Sequence, residues 1–189
     1  MPSIDWSGKA AEYLHLGADA TAARGTLLAS LGAAVQGEIE RYCNRTLGVL
    51  SYTEVYDGNG MPRIYLRHDP VVSLTSVTMD GTALTVGAAT TYPLPDVTVR
   101  GESCISRANG NVFPLGSTVV VTYDAGYAVA PPEIVQAGVS WIALLFKERD
   151  RAGLSSENVG GQTTAFTREM PPFVRLVLDN FRRGYVPTC

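Results

Sequence analysis

The feature that most constrains the fold of this chain is a change of hydrophobic period along its length. Apolar residues recur every three to four positions from about Ala22 to Leu47, and again from Pro131 to about Arg151, which is the period of an α-helix. Residues 50–128 lie between these segments and alternate in polarity between turn residues, which is typical of antiparallel strands. Because neither helix can bury its apolar face by itself, we expect the two helices to pack together.

The sequence therefore predicts an α+β fold. A helical body, made of one long N-terminal helix and two C-terminal helices, carries an inserted antiparallel β-sheet or small sandwich. A polar, glycine-rich stretch near the C-terminus predicts a flexible loop or arm. We assign residues 1–49 and 129–184 to the helical body and residues 50–128 to the β-rich insertion. The arm is residues 153–168, and the C-terminal tail is residues 185–189.

The two long helices carry further signals. Gly32 and Gly37 interrupt the first helix and indicate the close approach of another backbone, and Gly48 is typical of a helix end. Residues 134–146 are apolar around nearly the whole helix, which predicts burial on more than one side. One of those sides can face a neighbouring subunit. The candidate subunit-interface residues are Trp141, Ile142, Leu145 and Phe146.

Turn signals divide the β-rich region into strands. Asp57–Gly60 is a strong turn sequence, so we expect residues 51–56 and 63–67 to pair as a hairpin. Asp80 and Gly81 end a second long strand, and the β-branched residues 117–123 form the clearest strand of the chain. The tyrosines of these strands predict cross-strand packing, because too few basic residues accompany them for a nucleic-acid stacking face.

Composition excludes several functional classes. A net charge of −3 and a pI of about 5.4 argue against a dedicated nucleic-acid binder. Cys43, Cys104 and Cys189 are odd in number and form no CxxC pair, which predicts no disulfide framework and synthesis in a reducing cytoplasm. The apolar run of residues 134–146 is shorter than the roughly 20 residues that a membrane span needs.

The sequence offers no recognisable catalytic, cofactor or metal site. His15 and His68 have no second histidine or cysteine at ligand spacing. Asp57–Gly60 has the start of a calcium loop without its later ligands, so a turn is the better interpretation. Neither a GxxxxGK[ST] loop nor a GxSxG turn is present. We therefore expect no enzymatic activity and no cofactor.

Several stretches, in order along the chain, resemble the head–tail connector (adaptor) proteins of long-tailed bacteriophages, the gp6-like family. Each stretch is weakly specific alone, and together they span about residues 20–183. They are residues 39–47, 52–60, 70–77 and 121–127, followed by Pro131–Ile134.

The resemblance implies a structural protein of the virion neck, between capsid and tail. It implies a homo-oligomeric ring of twelve copies that binds the portal protein and the next neck or tail-completion protein. Viral DNA would pass through the lumen without specific binding, and no membrane is involved. The simplest members of this family are nearly all helical, so the β-rich region is a departure.

The sequence also offers candidate residues for contact with the portal protein. Exposed aromatic and arginine side chains are typical interface anchors, so we expect portal contacts at Phe181, Arg182, Arg183, Tyr185 and Val186. Two other classes stay open: another ring-forming neck or tail component, such as a head-completion or tail-terminator protein, and a small monomeric ligand-binding domain.

Overall fold

The computed structural model describes residues 4–88, 95–148, 156–159, 162–165 and 170–183, with backbone alone at 20–21 and in the two segments between 156 and 165. It confirms the α+β class. The chain divides into two compact units. Among the described residues, the first combines residues 4–44 with 130–183, and the second comprises residues 45–129. We call them the helical unit and the β unit. Their assignment as a connector body and an insertion stays a prediction.

The described residues of the helical unit form four helices: α1 Trp6–Tyr13, α2 Ala18–Cys43, α3 Pro132–Glu148 and α4 Pro172–Asp179. The Asp5 side chain caps α1 by accepting a hydrogen bond from the Gly8 N–H at 2.9 Å. The sequence predicts the end of the long helix at Gly48, but α2 ends at Cys43, where Asn44 adopts a left-handed conformation with φ of 52°. Asparagine tolerates this conformation well enough to end a helix before the glycine is reached.

The core of the helical unit is built around Trp6. Its indole N–H donates to the Gln36 side chain at 2.8 Å. A Cβ atom added to Gly32 would lie 2.5 Å from the Trp6 Cβ, and one added to Gly138 would lie 2.6 Å from the indole ring. The close approach predicted at Gly32 is therefore real, but a side chain makes it. At Gly37 the space is open, so the prediction there is wrong.

The β unit contains a four-stranded sheet of order β1-β7-β3-β4 and a three-stranded sheet of order β2-β6-β5. All strand pairs in both sheets are antiparallel. Both sheets contribute to one buried core cluster, as expected of a small sandwich. The strands are β1 Leu50–Asp57, β2 Arg63–Tyr65, β3 Val71–Met79, β4 Thr82–Leu84, β5 Val97–Arg100, β6 Cys104–Arg107 and β7 Thr118–Ala125.

Strand pairing differs from the sequence prediction at the first turn. The predicted hairpin of residues 51–56 with 63–67 is absent, because β1 pairs with β7 and β2 pairs with β6. Asp57–Gly60 instead leads the chain from one sheet to the other. The turn at Asp80 and Gly81 does join paired strands, β3 and β4, with φ values of 50° and 79°.

The region of the predicted arm contains regular structure. Strands β8 Ser156–Val159 and β9 Gln162–Ala165 form an antiparallel two-stranded sheet. The rest of the 153–168 segment, and the tail from residue 185, lie outside the described residues. The sequence analysis did not predict this hairpin.

Candidate interaction surfaces

Helix α4 is fastened to the end of α2 by a polar cluster centred on Tyr42. The Tyr42 hydroxyl donates to the Asp179 carboxylate and accepts from the Arg175 Nε at 3.2 Å. The guanidinium groups of Arg175 and Arg182 lie 5.9 and 5.5 Å from the centre of the Tyr42 ring. We call these four residues the Tyr42 cluster. It holds the last described helix in a defined position.

The two faces of α4 differ sharply. Val174 and Leu178 are fully buried and fix the helix to its unit, whereas Leu176 is 73% exposed and Phe173 49% exposed. Phe173 and Leu176 are three residues apart, so they share one side of the helix. This apolar face was not predicted from the sequence. The sequence does carry a signal for it, because Phe173 and Leu176 are apolar, lie three residues apart and fall outside the row formed by Val174 and Leu178.

A groove of about 760 Å³ lies beside this helix within the helical unit. Its lining combines apolar and charged side chains. The described lining residues are Ala34, Val35, Glu38, Arg41, Tyr42, Trp141, Leu145, Met170, Arg175 and Arg182. A mixed lining of this kind fits a protein surface better than a small apolar ligand.

The structure places three of the five predicted portal-binding residues. Phe181 and Arg183 are half-buried and Arg182 is exposed. The Arg183 N–H donates to the Cys43 carbonyl at 2.9 Å, which ties the chain after α4 to the end of α2. Tyr185 and Val186 lie outside the described residues. The three placed residues follow the Tyr42 cluster directly, and their role in portal binding stays a prediction.

The predicted subunit-interface residues lie mostly inside the protomer. Trp141, Ile142 and Phe146 are buried within the helical unit, with exposed fractions of 5, 0 and 5%. Leu145 is half-buried and lines the groove. The nearly all-apolar circumference of α3 is thus largely accounted for by packing within its own unit. A subunit contact at these four residues stays a prediction, and only Leu145 offers appreciable surface for it.

The β unit contains a polar network around Glu54. Its carboxylate accepts hydrogen bonds from the hydroxyls of Tyr123, at 2.6 Å, and Tyr56, and lies 3.3 Å from the Nδ1 of His68. The His68 ring stacks on Tyr52 with 3.7 Å between ring centres. Tyr52 and Tyr123 pair across β1 and β7 with 5.9 Å between ring centres, which confirms the predicted cross-strand packing for this pair.

The network perturbs titration without resembling a catalytic site. Burial tends to raise the pKa of Glu54, but hydrogen bonds from Tyr123 and Tyr56 outweigh it and lower that pKa from its ordinary value. Burial and the Glu54 carboxylate raise the pKa of both tyrosines. The Tyr123 side chain is fully buried. These groups therefore hold neighbouring strands together. The Glu54 carboxylate accepts the hydrogen bonds that the two tyrosine hydroxyls donate, so these polar groups are satisfied.

A second apolar surface lies at the tip of two loops of the β unit. Leu115 is 81% exposed and Met61 62% exposed. The loops are joined by backbone hydrogen bonds from the Gly60 N–H to the Phe113 carbonyl, at 2.7 Å, and from the Phe113 N–H to the Met61 carbonyl, at 2.9 Å. Phe113 is fully buried and anchors the pair. Leu115 and Met61 are therefore exposed on two loops that backbone hydrogen bonds hold together.

Two further observations concern the described part of the chain. None of its helices has the length and apolarity needed to cross a bilayer. Its His, Cys, Asp and Glu side chains form no group of three that could hold a metal ion.

Comparison with known proteins identifies the class to which this fold belongs. The family model described as "Head completion protein" matches residues 10–184. The chain therefore belongs to the head completion protein family, a family of structural virion proteins. This result is consistent with the resemblance to head–tail connector proteins, and a head-completion protein is also one of the neck components left open above. No curated protein matches the chain.

Solved structures with the same fold come from the neck of a gene transfer agent (GTA). One chain, from the neck of the empty GTA particle computed with C6 symmetry, has a TM-score of 0.56 at 20% identity and covers 99% of this chain and 91% of its own length. Another, from the neck of the native particle computed with C12 symmetry, has a TM-score of 0.51 at 16% identity, covering 98% and 94%. At this identity the likeness establishes the fold.

Proposed function

We propose that this protein is a structural component of the virion neck that assembles into a ring, joins the portal to the tail and extends the DNA channel. Membership of the head completion family supports the neck role. The shared fold with chains of necks computed with six-fold and twelve-fold symmetry supports a ring. A ring requires heterologous contacts that close upon themselves, so each subunit must present two different, complementary surfaces.

The observation that carries the portal proposal is the outer face of α4. Exposed apolar side chains beside arginines on a fixed helix have the composition of an interface core with a polar rim. Leu176 and Phe173 supply the apolar core. Arg175 and Arg182 are exposed on the side of the helix that contacts Tyr42, and they supply the charged rim. Phe181 and Arg182 follow the helix in sequence and lead into the tail, which contains Tyr185 and Val186. We place the portal contact on this surface.

The charge of the chain fits a channel through which DNA slides. A basic lining would retain DNA by releasing counterions from its phosphates. A net charge of −3 provides no such general attraction. Weak, salt-insensitive retention of duplex DNA is the expected behaviour.

The test is native mass spectrometry of the purified protein, alone and mixed with a candidate portal ring. A closed ring alone, or one formed only on the portal, supports the proposal and identifies the trigger of assembly. A monomer in both conditions, without portal binding, contradicts ring formation and portal joining.

Two variants locate the portal contact. Leu176→Glu places a charge on the exposed face of α4 and is expected to weaken portal binding at least tenfold, because about 1.4 kcal/mol of lost interface energy corresponds to that factor. Leu27→Glu is the matched control, since Leu27 is a 40% exposed leucine on α2. Equal binding by both variants, or equal loss in both, would remove α4 from the contact.

A further inference from the structure

The β unit presents one long strand edge that no described strand covers. Strand β1 is the terminal strand of the four-stranded sheet and has eight residues. The opposite edge of that sheet is β4, with three residues, and the edges of the second sheet, β2 and β5, have three and four. Natural sheets commonly protect their edges by keeping them short. The β1 edge lacks that protection.

The register identifies which backbone groups of β1 point away from the sheet. The Gly58 N–H donates to the Ser117 carbonyl at 2.8 Å, one step beyond the pairing of Asp57 with Thr118. Because backbone groups alternate in direction along a strand, those of the even-numbered residues point to β7. The outward N–H and C=O groups belong to Ser51, Thr53, Val55 and Asp57.

The residues of this edge do not discourage pairing. The strand contains neither lysine nor proline, the two residues that most often block an edge. The Glu54 side chain is engaged by Tyr56 and Tyr123 within the network. Val55 is 53% exposed beside the open backbone groups. The edge is therefore suited to accept another strand.

The same chain carries a two-stranded hairpin that joins no larger sheet among the described residues. Strands β8 and β9 pair with each other and with no other described strand. An isolated two-stranded hairpin is marginally stable in water, and a third strand or a packed face is needed to stabilise it. Its sequence suits the role, since Gly160 and Gly161 between the strands are typical of a tight turn and Thr163 and Thr164 favour strands.

We infer that the β8–β9 hairpin of one subunit adds to the β1 edge of the next subunit around the ring. The inference rests on the proposed ring and specifies its subunit contact. Four residues of hairpin strand match half of the eight-residue edge. Because the donor and the acceptor are different surfaces of one chain, the contact is heterologous and can repeat until the ring closes.

Two variants each remove one half of the contact. Val55→Pro deletes an outward N–H and leaves the hydrogen bonds to β7, and edge strands tolerate proline in that position. Val55→Thr, which keeps the N–H, is its matched control. If the proline variant fails to fold, as judged by circular dichroism, Val55→Lys replaces it, since an edge lysine disfavours strand addition. The second variant replaces residues 156–165 with a Gly-Ser linker of equal length.

The experiment is native mass spectrometry after chemical cross-linking, with the portal ring present if the wild-type chain needs it. Rings are expected for the wild type and for Val55→Thr, and their loss for either broken variant alone. Mixing the two broken variants restores one intact contact per pair, so the expected products are heterodimers without rings.

Rings from Val55→Pro or from the linker variant, under conditions in which the wild type also forms rings, would overturn this inference and leave the proposed function standing. Absence of heterodimers in the mixture would also overturn it. A wild-type chain that forms no ring would instead contradict the proposed function.

Discussion

The helical unit and the β unit are stabilised by different means. The helical unit is organised around one apolar side chain, Trp6, which fills space left by Gly32 and Gly138. The β unit places an ionisable carboxylate, Glu54, among buried and half-buried tyrosines. Steric fit is insensitive to pH, whereas a hydrogen-bonded carboxylate titrates. The difference teaches that acid should weaken one unit by a mechanism absent from the centre of the other.

The largest expected effect is that of Trp6→Ala on the helical unit. Removing a buried indole leaves a cavity between helices, and such substitutions destabilise by about 3–5 kcal/mol. The free energy of unfolding is measured by urea denaturation, with the fluorescence of Trp141 reporting on the same unit. A loss below about 1 kcal/mol would show that the helices collapse around the vacated site and that Trp6 does not organise them.

In the β unit, Tyr123→Phe is expected to lower the free energy of unfolding by about 1.5–3 kcal/mol at neutral pH, because a hydrogen bond to a charged group is lost. The Tyr123 hydroxyl also accepts a hydrogen bond from the backbone N–H of His68 at 3.1 Å, and the variant removes that acceptor. Hydrogen–deuterium exchange of peptides covering β1 and β7 measures the change. Faster exchange confined to the helical unit would contradict the prediction.

The pH dependence of the β unit follows from the same carboxylate. Burial raises the pKa of Glu54, but the hydrogen bonds from Tyr123 and Tyr56 outweigh burial, so the folded pKa lies below its ordinary value of 4.5. A lowered folded pKa contributes stability that is fully present above pH 4.5 and is lost as pH falls through the folded pKa.

Tyr123→Phe removes one of the lowering interactions, so its stability should fall less steeply in acid than that of the wild type. Comparing the two proteins cancels the contribution of Asp96 and Asp124, whose pKa values are also lowered by hydrogen bonds. Parallel stability curves for the two proteins would show that Glu54 is not the source of the acid sensitivity.

A smaller effect is expected for Gly138→Ala in the helical unit. The new Cβ would lie 2.6 Å from the Trp6 ring, so the ring or α3 must shift. Overpacking of this kind costs about 1–3 kcal/mol and outweighs the better helix propensity of alanine. Urea denaturation followed by tryptophan fluorescence gives the difference. An unchanged or increased free energy of unfolding would mean that Trp6 moves aside freely.

The smallest effect, and one of opposite sign, is expected for Gly37→Ala. A Cβ at this position meets nothing within 4 Å, so only the propensity term remains. Alanine should stabilise α2 by up to about 1 kcal/mol relative to glycine. Thermal unfolding of this variant beside Gly138→Ala forms a matched pair on two helices of one unit. Destabilisation by Gly37→Ala would indicate a close contact at this surface that the protomer alone does not show.

Local patterns in the sequence carried much of the fold. Residues with the helical period form α2, α3 and α4, and Asp80 and Gly81 end the second long strand as expected. These features depend on neighbours within a few residues, through backbone geometry and side-chain spacing. The hairpin expected across Asp57–Gly60 was wrong because a turn sequence restricts the backbone conformation without choosing the partner of each strand.

The candidate surfaces were less accessible to sequence reasoning. An apolar residue on a helix gives the same signal whether it is buried, like Ile142, or 73% exposed, like Leu176. The difference between them depends on which other elements pack against each helix. For the same reason, the run of apolar residues in α3 predicts burial correctly but does not identify what covers it.

The sequence by itself determined the class of fold, helices α2, α3 and α4 and the long strands β1, β3 and β7, because hydrophobic period and turn chemistry are local properties. The tertiary structure alone decided that β1 pairs with β7, that Trp6 fills the space beside Gly32 and Gly138, and that Tyr42 fastens α4. These contacts join residues far apart in the chain. They are selected by the free energy of the whole packed arrangement, in which each segment's partner depends on where all the others lie.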